Sequence, residues 1–377
     1  MLDRSQIKLP LELAVSIIAE RLILETATVY QRDYSLVGAD AESAKVNGLS
    51  SAKWYQTDIP RPEIKAFMKR SDQPAIRDTI VLFVLMIAFG VGGVYFWGSW
   101  HAVPIWMAYG VLYGSAMDSR WHECSHGTAF KTRWMNEALY QVASFMMIRN
   151  PVRWKWSHAR HHTDTIIVGR DPEIVAKRPP SFFNLLLGFT GIADTLSGLK
   201  LMLINASGKL ETEEADFIPE SEVSKVIAVA RIWAGIYAVV IGLSVALSSW
   251  IPLMLIGLPR MYGAWHHVLT GITQHAGLAE NEIDHRLNSR TVYMNPISRF
   301  IYWNMNYHVE HHMFPMVPYH QLPKLHERIK SDFPKANSSL LDAYMEIIPA
   351  LWQQRKNADH FVLRPLPAGA EPYRHFA

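Results

Sequence analysis

Seventeen of 377 residues are histidine, and eight of them fall at spacings with chemical meaning. "WHECSHGT" (121–128) holds His122 and His126, "WSHARHHTDT" (156–165) holds His158, His161 and His162, and "NYHVEHHMFP" (306–315) holds His308, His311 and His312. On a helix, residues three and four apart share a face, so each group can present its rings to one point. The pattern H-x-x-x-H is expected ~0.8 times by chance at this histidine content, but H-x-x-H-H only ~0.03 times, and two copies at roughly 5 in 10,000. Composition therefore does not account for the second and third groups. Eight imidazoles exceed the about four to six ligands that one transition metal takes, which implies two ions. Neutral imidazole suits Fe, Zn, Cu and Ni, and about four ligands each would leave a position open for catalysis. Spacing does not choose among these metals.

Such rings need rigid elements to hold them, and the elements flanking them are apolar. Four stretches approach the ~20 apolar residues that cross a bilayer: Thr79 to Gly98, His101 to Met117, Ile232 to Ser248, and Trp250 to Leu269. The last carries Pro252, Pro259 and Arg260 and is the weakest. The links "GSWHAV" and "LSSWIP" contain no Lys or Arg. By the positive-inside rule these are outer turns. The expected fold is all-α and integral to the membrane: four transmembrane helices in two hairpins, with a cytoplasmic helical cap carrying the histidines and both chain ends on the cytoplasmic side. Trp97, Trp100, Trp106, Trp250 and Trp303 lie near span ends, where indoles favour the headgroup zone. Residues 181–204 form an apolar, glycine-punctuated stretch that could lie in the interface.

Other features exclude functions. A net charge of +3 is too small to suggest nucleic-acid binding. The opening "MLDRSQIKLP" lacks the apolar core of a secretory signal, and Leu11 to Leu24 reads as an amphipathic helix, either packed on the protein or lying on the membrane surface. One cysteine, Cys124, rules out an intrachain disulfide and a cysteine-ligated iron–sulfur cluster built from this chain alone. At two residues from His122 it points to another face and reads as a small buried residue. "ETEEAD" (211–216) reads as a solvated loop. His320, His326 and His360 stand outside the repeated spacing and are expected to have no metal role.

Three boxes, "HECSH", "HARHH" and "HVEHH", in that order and with a membrane hairpin between the second and third, resemble the membrane fatty acid desaturase-like superfamily. The resemblance covers roughly residues 75–330. It implies a non-haem di-iron centre (two Fe ions), O2 as cosubstrate, and oxidation of an unactivated C–H bond by desaturation or hydroxylation. Carried over residue by residue, the metal ligands are His122, His126, His158, His161, His162, His308, His311 and His312. A ninth ligand is often supplied in that family after the fourth span. His275 in "TGITQHAG" fits by position, and His267, two helical turns earlier on roughly the same face, is the alternative. Residues 1–74 then form an N-terminal cytoplasmic segment and residues 331–377 a C-terminal cytoplasmic tail.

Metal-bound histidines usually donate their second ring N–H to a carboxylate or carbonyl. Asp171, Asn306, Glu123, Asp164 and Glu310 are candidates for this, Asp171 first because it follows the second box at a loop-forming Asp-Pro. The chain has no Rossmann glycine fingerprint, no cluster cysteines and no "HPGG" haem motif. Electrons must therefore come from a separate donor: a ferredoxin, a Rieske protein, or a cytochrome with its reductase. Arg153, Lys155 and Arg160 around the second box could attract an acidic donor or neutralise lipid headgroups. A lipid acyl chain is the first-choice substrate. Two alternatives stay open. One is oxidation or oxidative demethylation of a small molecule with a Rieske-type ferredoxin, as in a branch linked to rhizopine catabolism that the chain also resembles. The other is a metal-binding membrane protein without catalysis.

Overall fold

The computed structural model describes residues 31–373, so the amphipathic stretch Leu11 to Leu24 lies outside the described residues. Among those residues the structure is helical, with no strand and two isolated bridges, Thr291 to Tyr307 and Val292 to Asn337. The first apolar stretch forms the helix Asp72–Tyr95. Its 24 residues reach about 36 Å, enough for the ~30 Å hydrocarbon core. Leu82, Met86, Gly90 and Gly93 form its buried stripe, at spacings that keep one face inward, while Ile80, Val84, Ile87 and Val91 are exposed. Glycine is required at 93, because a Cβ there would stand 2.6 Å from the Trp106 ring.

The chain turns back and is helical over residues 102–125 without a break: Ala102–Val111, a π-turn at Leu112–Ala116, then Met117–Ser125. This run delivers the first histidine box directly from an apolar helix. The π-turn sits where the second half of the molecule packs: Ser115 Oγ donates to the Gly263 carbonyl at 2.6 Å. Added Cβ atoms would stand 1.8 Å from Gly110 O at Gly263, and 2.9 Å from Pro259 O at Gly114. The third stretch is the 27-residue helix Glu220–Ala246, whose buried residues Val226, Ala230, Trp233, Tyr237 and Val240 recur every three or four positions.

The fourth stretch departs from expectation. It is divided into Ile251–Leu255, Pro259–Tyr262 and Trp265–His275. Pro252 and Pro259 each start a short helix, and Gly257 takes φ +95 between them, so no continuous i to i−4 ladder can form. Residues 181–204 form a bent pair, Phe182–Gly188 and Ile192–Ala206, turned by 78°. The corner is Gly191 at φ +62, where a Cβ would meet Arg260 O at 2.5 Å. Among the described residues, two helices are thus long and apolar enough to cross a membrane, and a third if the bent pair is one span. They make the chain a membrane protein.

"ETEEAD" is also not a solvated loop. It forms the helix Thr212–Phe217 with a capping box between Glu211 and Glu214, and Glu214 is buried where Arg153 Nε reaches it at 2.7 Å.

Candidate metal centre

Each box rides on an element with a defined start or stop. Asn150 caps the second-box helix, Pro151–Thr163, by accepting from the Val152 and Arg153 amides, with Pro151 in its first turn. The first-box helix ends at Gly127, whose φ of +67 suits a residue with no Cβ. The third box is a six-residue helix, His308–Met313, with all six side chains buried. Asn306 anchors its approach by donating Nδ2–H to the Val292 carbonyl at 2.9 Å.

Nine histidines converge in two groups. Ligand atoms of His122, His126, His158, His162 and His311 lie within 4.8 Å of one another, and so do those of His161, His275, His308 and His312. The boxes are not segregated, each to its own point, as spacing alone suggested. On a helix, position i+4 lies 40° from i and i+3 lies 60° to the other side. His158 and His162 therefore face one group and His161 the other, while His308 and His312 face the second group and His311 crosses back to the first.

The ring nitrogens meet at distances a metal would set. Nε2 to Nε2 separations are 3.0 Å for His126 and His158, 3.1 Å for His158 and His162, and 3.2 Å for His162 and His311. In the other group His275 to His308 and His308 to His312 are each 3.0 Å. Two nitrogens at right angles, each about 2.1 Å from one ion, stand roughly 3.0 Å apart. The Nδ1 side fixes the tautomers. His275 Nδ1 lies 2.8 Å from the Asn288 carbonyl, which only accepts, so the proton is on Nδ1 and Nε2 offers a bare lone pair. Thr165 Oγ1 donates to the His161 carbonyl and so accepts from His312 Nδ1 at 3.2 Å, with the same result for His312. His275 and His312 both turn bare Nε2 lone pairs on His308 Nε2, which can donate to at most one of them, whereas a cation among the three would satisfy all.

Carboxylates hold two further rings. His161 Nδ1 is 2.8 Å from Asp171 Oδ2, and His158 Nδ1 is 3.1 Å from Glu173 Oε2. Burial and neighbouring imidazoles hold His122, His158, His162, His308, His311 and His312 well below the ordinary histidine value, His126 at about 4 and His275 at about 3. They are neutral at pH 7, the form that binds metal. His161 differs: burial opposes its charge, yet the Asp171 carboxylate against Nδ1 pushes it up to about 9. A metal ion held by His161 Nε2 would take the place of the proton there, with Asp171 retaining the Nδ1 proton.

The remaining expected residues sit elsewhere. Glu123 accepts from Thr128 Oγ1 at 2.8 Å and the Tyr319 amide at 3.0 Å, tying the end of the first box to a distant loop. Asp164 pairs with Arg170, and Glu310 contacts His326 and Thr291. Asn306 reaches the Val292 backbone and no histidine. His267 lies 3.2 Å from the Arg260 guanidinium, outside both groups. Glu173 had no forecast from spacing, although it shares the Asp-Pro-Glu turn with Asp171. His285 was also missed: it is buried, stacks on Trp54 at 4.3 Å, and lies 5.1 Å from the His312 ring. Arg153, Lys155 and Arg160 are not free cations, since each pairs with an acid: Glu214, Glu137 and Asp216 respectively.

A cavity of about 710 Å³ opens beside the histidines, which contribute His122, His158, His161, His275 and His308 to its wall. The remainder of the wall mixes apolar groups such as Ile148, Met202 and Trp233 with polar ones.

Among the described residues the protein is helical, and its imidazoles gather in two groups beside a cavity, an arrangement that could hold metal ions. Comparison with known proteins narrows this: the family model described as fatty acid desaturase matches residues 98–343, and the chain belongs to that family. It is 24% identical over 310 residues to an acyl-lipid (9+3)-(E)-desaturase of Dimorphotheca sinuata, spanning 72% of this chain and 78% of that protein. It is likewise 24% identical over 322 residues to a chloroplastic omega-3 fatty acid desaturase of Glycine max, spanning 78% and 68%. A Delta(5) fatty acid desaturase of Caenorhabditis elegans is 26% identical over 251 residues, spanning 57% and 54%. Family membership makes this chain an oxidoreductase of lipid metabolism.

Proposed function

We propose that the protein desaturates a lipid acyl chain at a pair of iron ions, one held by His122, His126, His158, His162 and His311 and the other by His161, His275, His308 and His312. The observation that carries this reading is the meeting of ring nitrogens at 3.0–3.2 Å in both groups. Iron bound there supplies O2 activation and removal of hydrogen from an unactivated C–H bond. The chain's own contribution is to position. Asp171 and Glu173 hold the Nδ1 protons of His161 and His158, so those rings keep one tautomer and one orientation. The cavity wall carries substrate past the histidines and excludes bulk water. No thiolate lies among the donors, which suits a site exposed to oxidants.

The electrons come from a separate protein donor docking on the cytoplasmic face. The membrane arrangement is multi-pass: residues 102–116 and the divided segment after Trp250 complete two hairpins with the two long apolar helices, and the histidines and both termini stand on the cytoplasmic side. The relatives are named for acyl-lipid and fatty acid desaturation, which supports the same substrate class here. The test is metal analysis joined to lipid profiling. Protein purified without chelator should carry about two iron ions per chain, and cells producing it should gain an unsaturated acyl species that cells producing His161→Ala lack. Zinc in place of iron, with no O2 uptake under reductant, would establish a metal-binding protein without catalysis.

A further inference from the structure

The cavity beside the histidines is mostly apolar, as an acyl chain requires, but one patch of its wall is charged. Asp118 stands four residues before His122 on the same helix, so the two share a face and are about 6 Å apart along the axis. Both line the cavity, as do Arg149 and Asp194. These three side chains retain 19%, 30% and 41% of their accessible surface, although they lie within the fold. The charges balance. Arg149 Nη2 lies 3.3 Å from Asp194 Oδ1, and the fully buried Arg260 closes on the other Asp194 oxygen while donating to the Gly114 carbonyl at 2.9 Å. Asp118 is the poorly served member. Its Oδ1 is buried without a hydrogen bond, and the nearest guanidinium nitrogen, Arg149 Nη1, is 3.5 Å away.

A methylene chain laid against these groups would strip their water and return no hydrogen bond, a cost for every charged group covered. A charged substrate group would unbalance two carboxylates against two guanidiniums. A hydroxyl does neither. It can donate to Asp118 Oδ2, the carboxylate oxygen left open to the cavity, and accept from Arg149. Building on the proposed acyl-chain oxidation, we propose that the substrate carries a neutral hydroxyl close to the carbon that reacts, bound by Asp118 and Arg149, and that this pair sets which carbon faces the histidines.

The proposal is tested by binding, with the metal-loaded protein in lipid nanodiscs and radiolabelled 18-carbon fatty acids: octadecanoic acid and a series bearing one hydroxyl at successive mid-chain positions. A hydrogen bond to a charged partner is worth about tenfold or more in affinity. One or two adjacent positions in the series should therefore bind about tenfold tighter than octadecanoic acid. Asp118→Leu should abolish that gap and tighten binding of octadecanoic acid, whereas Asp118→Asn, which keeps the volume and a hydrogen-bonding oxygen, should retain part of it. Equal binding of the plain chain and every hydroxylated chain, or a gap that survives in Asp118→Leu protein of unchanged metal content, would overturn the proposal. Should Asp118→Leu fail to fold, an Asp118→Asn gap equal to that of the wild type would overturn it as well. The readout is independent of turnover. Selective binding without iron or product would remove the desaturase reading alone, and product without selective binding would remove only the hydroxyl site.

Discussion

Asp171 and Glu173 occupy one turn, and each carboxylate faces the Nδ1 of a different histidine in the second box. Loss of such an orienting partner typically lowers metal affinity about 10–100-fold. Asp171→Asn and Glu173→Gln should both show this in competitive titration with a metal-binding dye, and Asp164→Asn, which faces Arg170, should leave affinity at the wild-type value. The grouping of the eight box histidines was legible in helical spacing, whereas His275 entered through the family resemblance, with His267 as the alternative. What spacing could not supply was direction. Glu123 stands one residue after His122 and is therefore turned ~100° from it, which sends its carboxylate to Thr128 and Tyr319 instead. Glu173 escaped notice because its contact depends on how a loop folds back on a helix.

The same residues predict an acid limit for the metal-free protein. Burial depresses His126 to about 4, and His275 and His285 to about 3. Below the unfolded value of ~6.5 the unfolded chain takes up protons that the folded chain refuses, so stability falls as pH drops from ~6.5 towards 4. The unfolding midpoint of metal-free protein in detergent should decrease steadily across that window. His161, raised to about 9, acts in the opposite sense and loses its contribution as pH rises from ~6.5 through 9. A midpoint that stays flat between pH 6.5 and 4 would contradict this assignment of buried neutral rings.

Among the elements, the contact between the π-turn and the divided fourth stretch decides how the two halves meet. Gly110, Gly114 and Gly263 bring backbones together at a distance no side chain allows. Gly263→Ala should lower the thermal midpoint in detergent by several degrees or abolish expression, since overpacking at a site without slack costs about 1–3 kcal/mol. Gly242→Ala, with open space at its Cβ, serves as the control and should have no such effect. The sequence already marked the fourth stretch as interrupted by Pro252 and Pro259, and the structure turns those interruptions into separate short helices. The π-turn had no such mark, because its extra residue is set by packing against Gly263 rather than by a local breaker.

For the whole molecule, two of the four expected spans were legible from length and hydropathy alone, which act without tertiary context. Asp72–Tyr95 and Glu220–Ala246 carry exposed Val, Ile and Leu along their outer faces, as lipid contact requires. Cys124 is buried, so an introduced thiol can report topology against a quiet background. Ser99→Cys, in the turn after Asp72–Tyr95, should label with an impermeant maleimide on intact cells, and Ser338→Cys only after permeabilisation. The reverse pattern would invert the proposed orientation. The charged patch in the cavity wall lay beyond sequence reading, since Asp118, Arg149 and Asp194 come from three separate helices or their ends.

The central claim is that two imidazole groups each hold an iron ion at the cavity wall. Anomalous X-ray diffraction above the iron edge, on crystals of protein purified without chelator, tests it most directly. The account predicts two peaks, one among His122, His126, His158, His162 and His311 and one among His161, His275, His308 and His312. A single peak, or none at the iron edge with signal appearing only at the zinc edge, would contradict it.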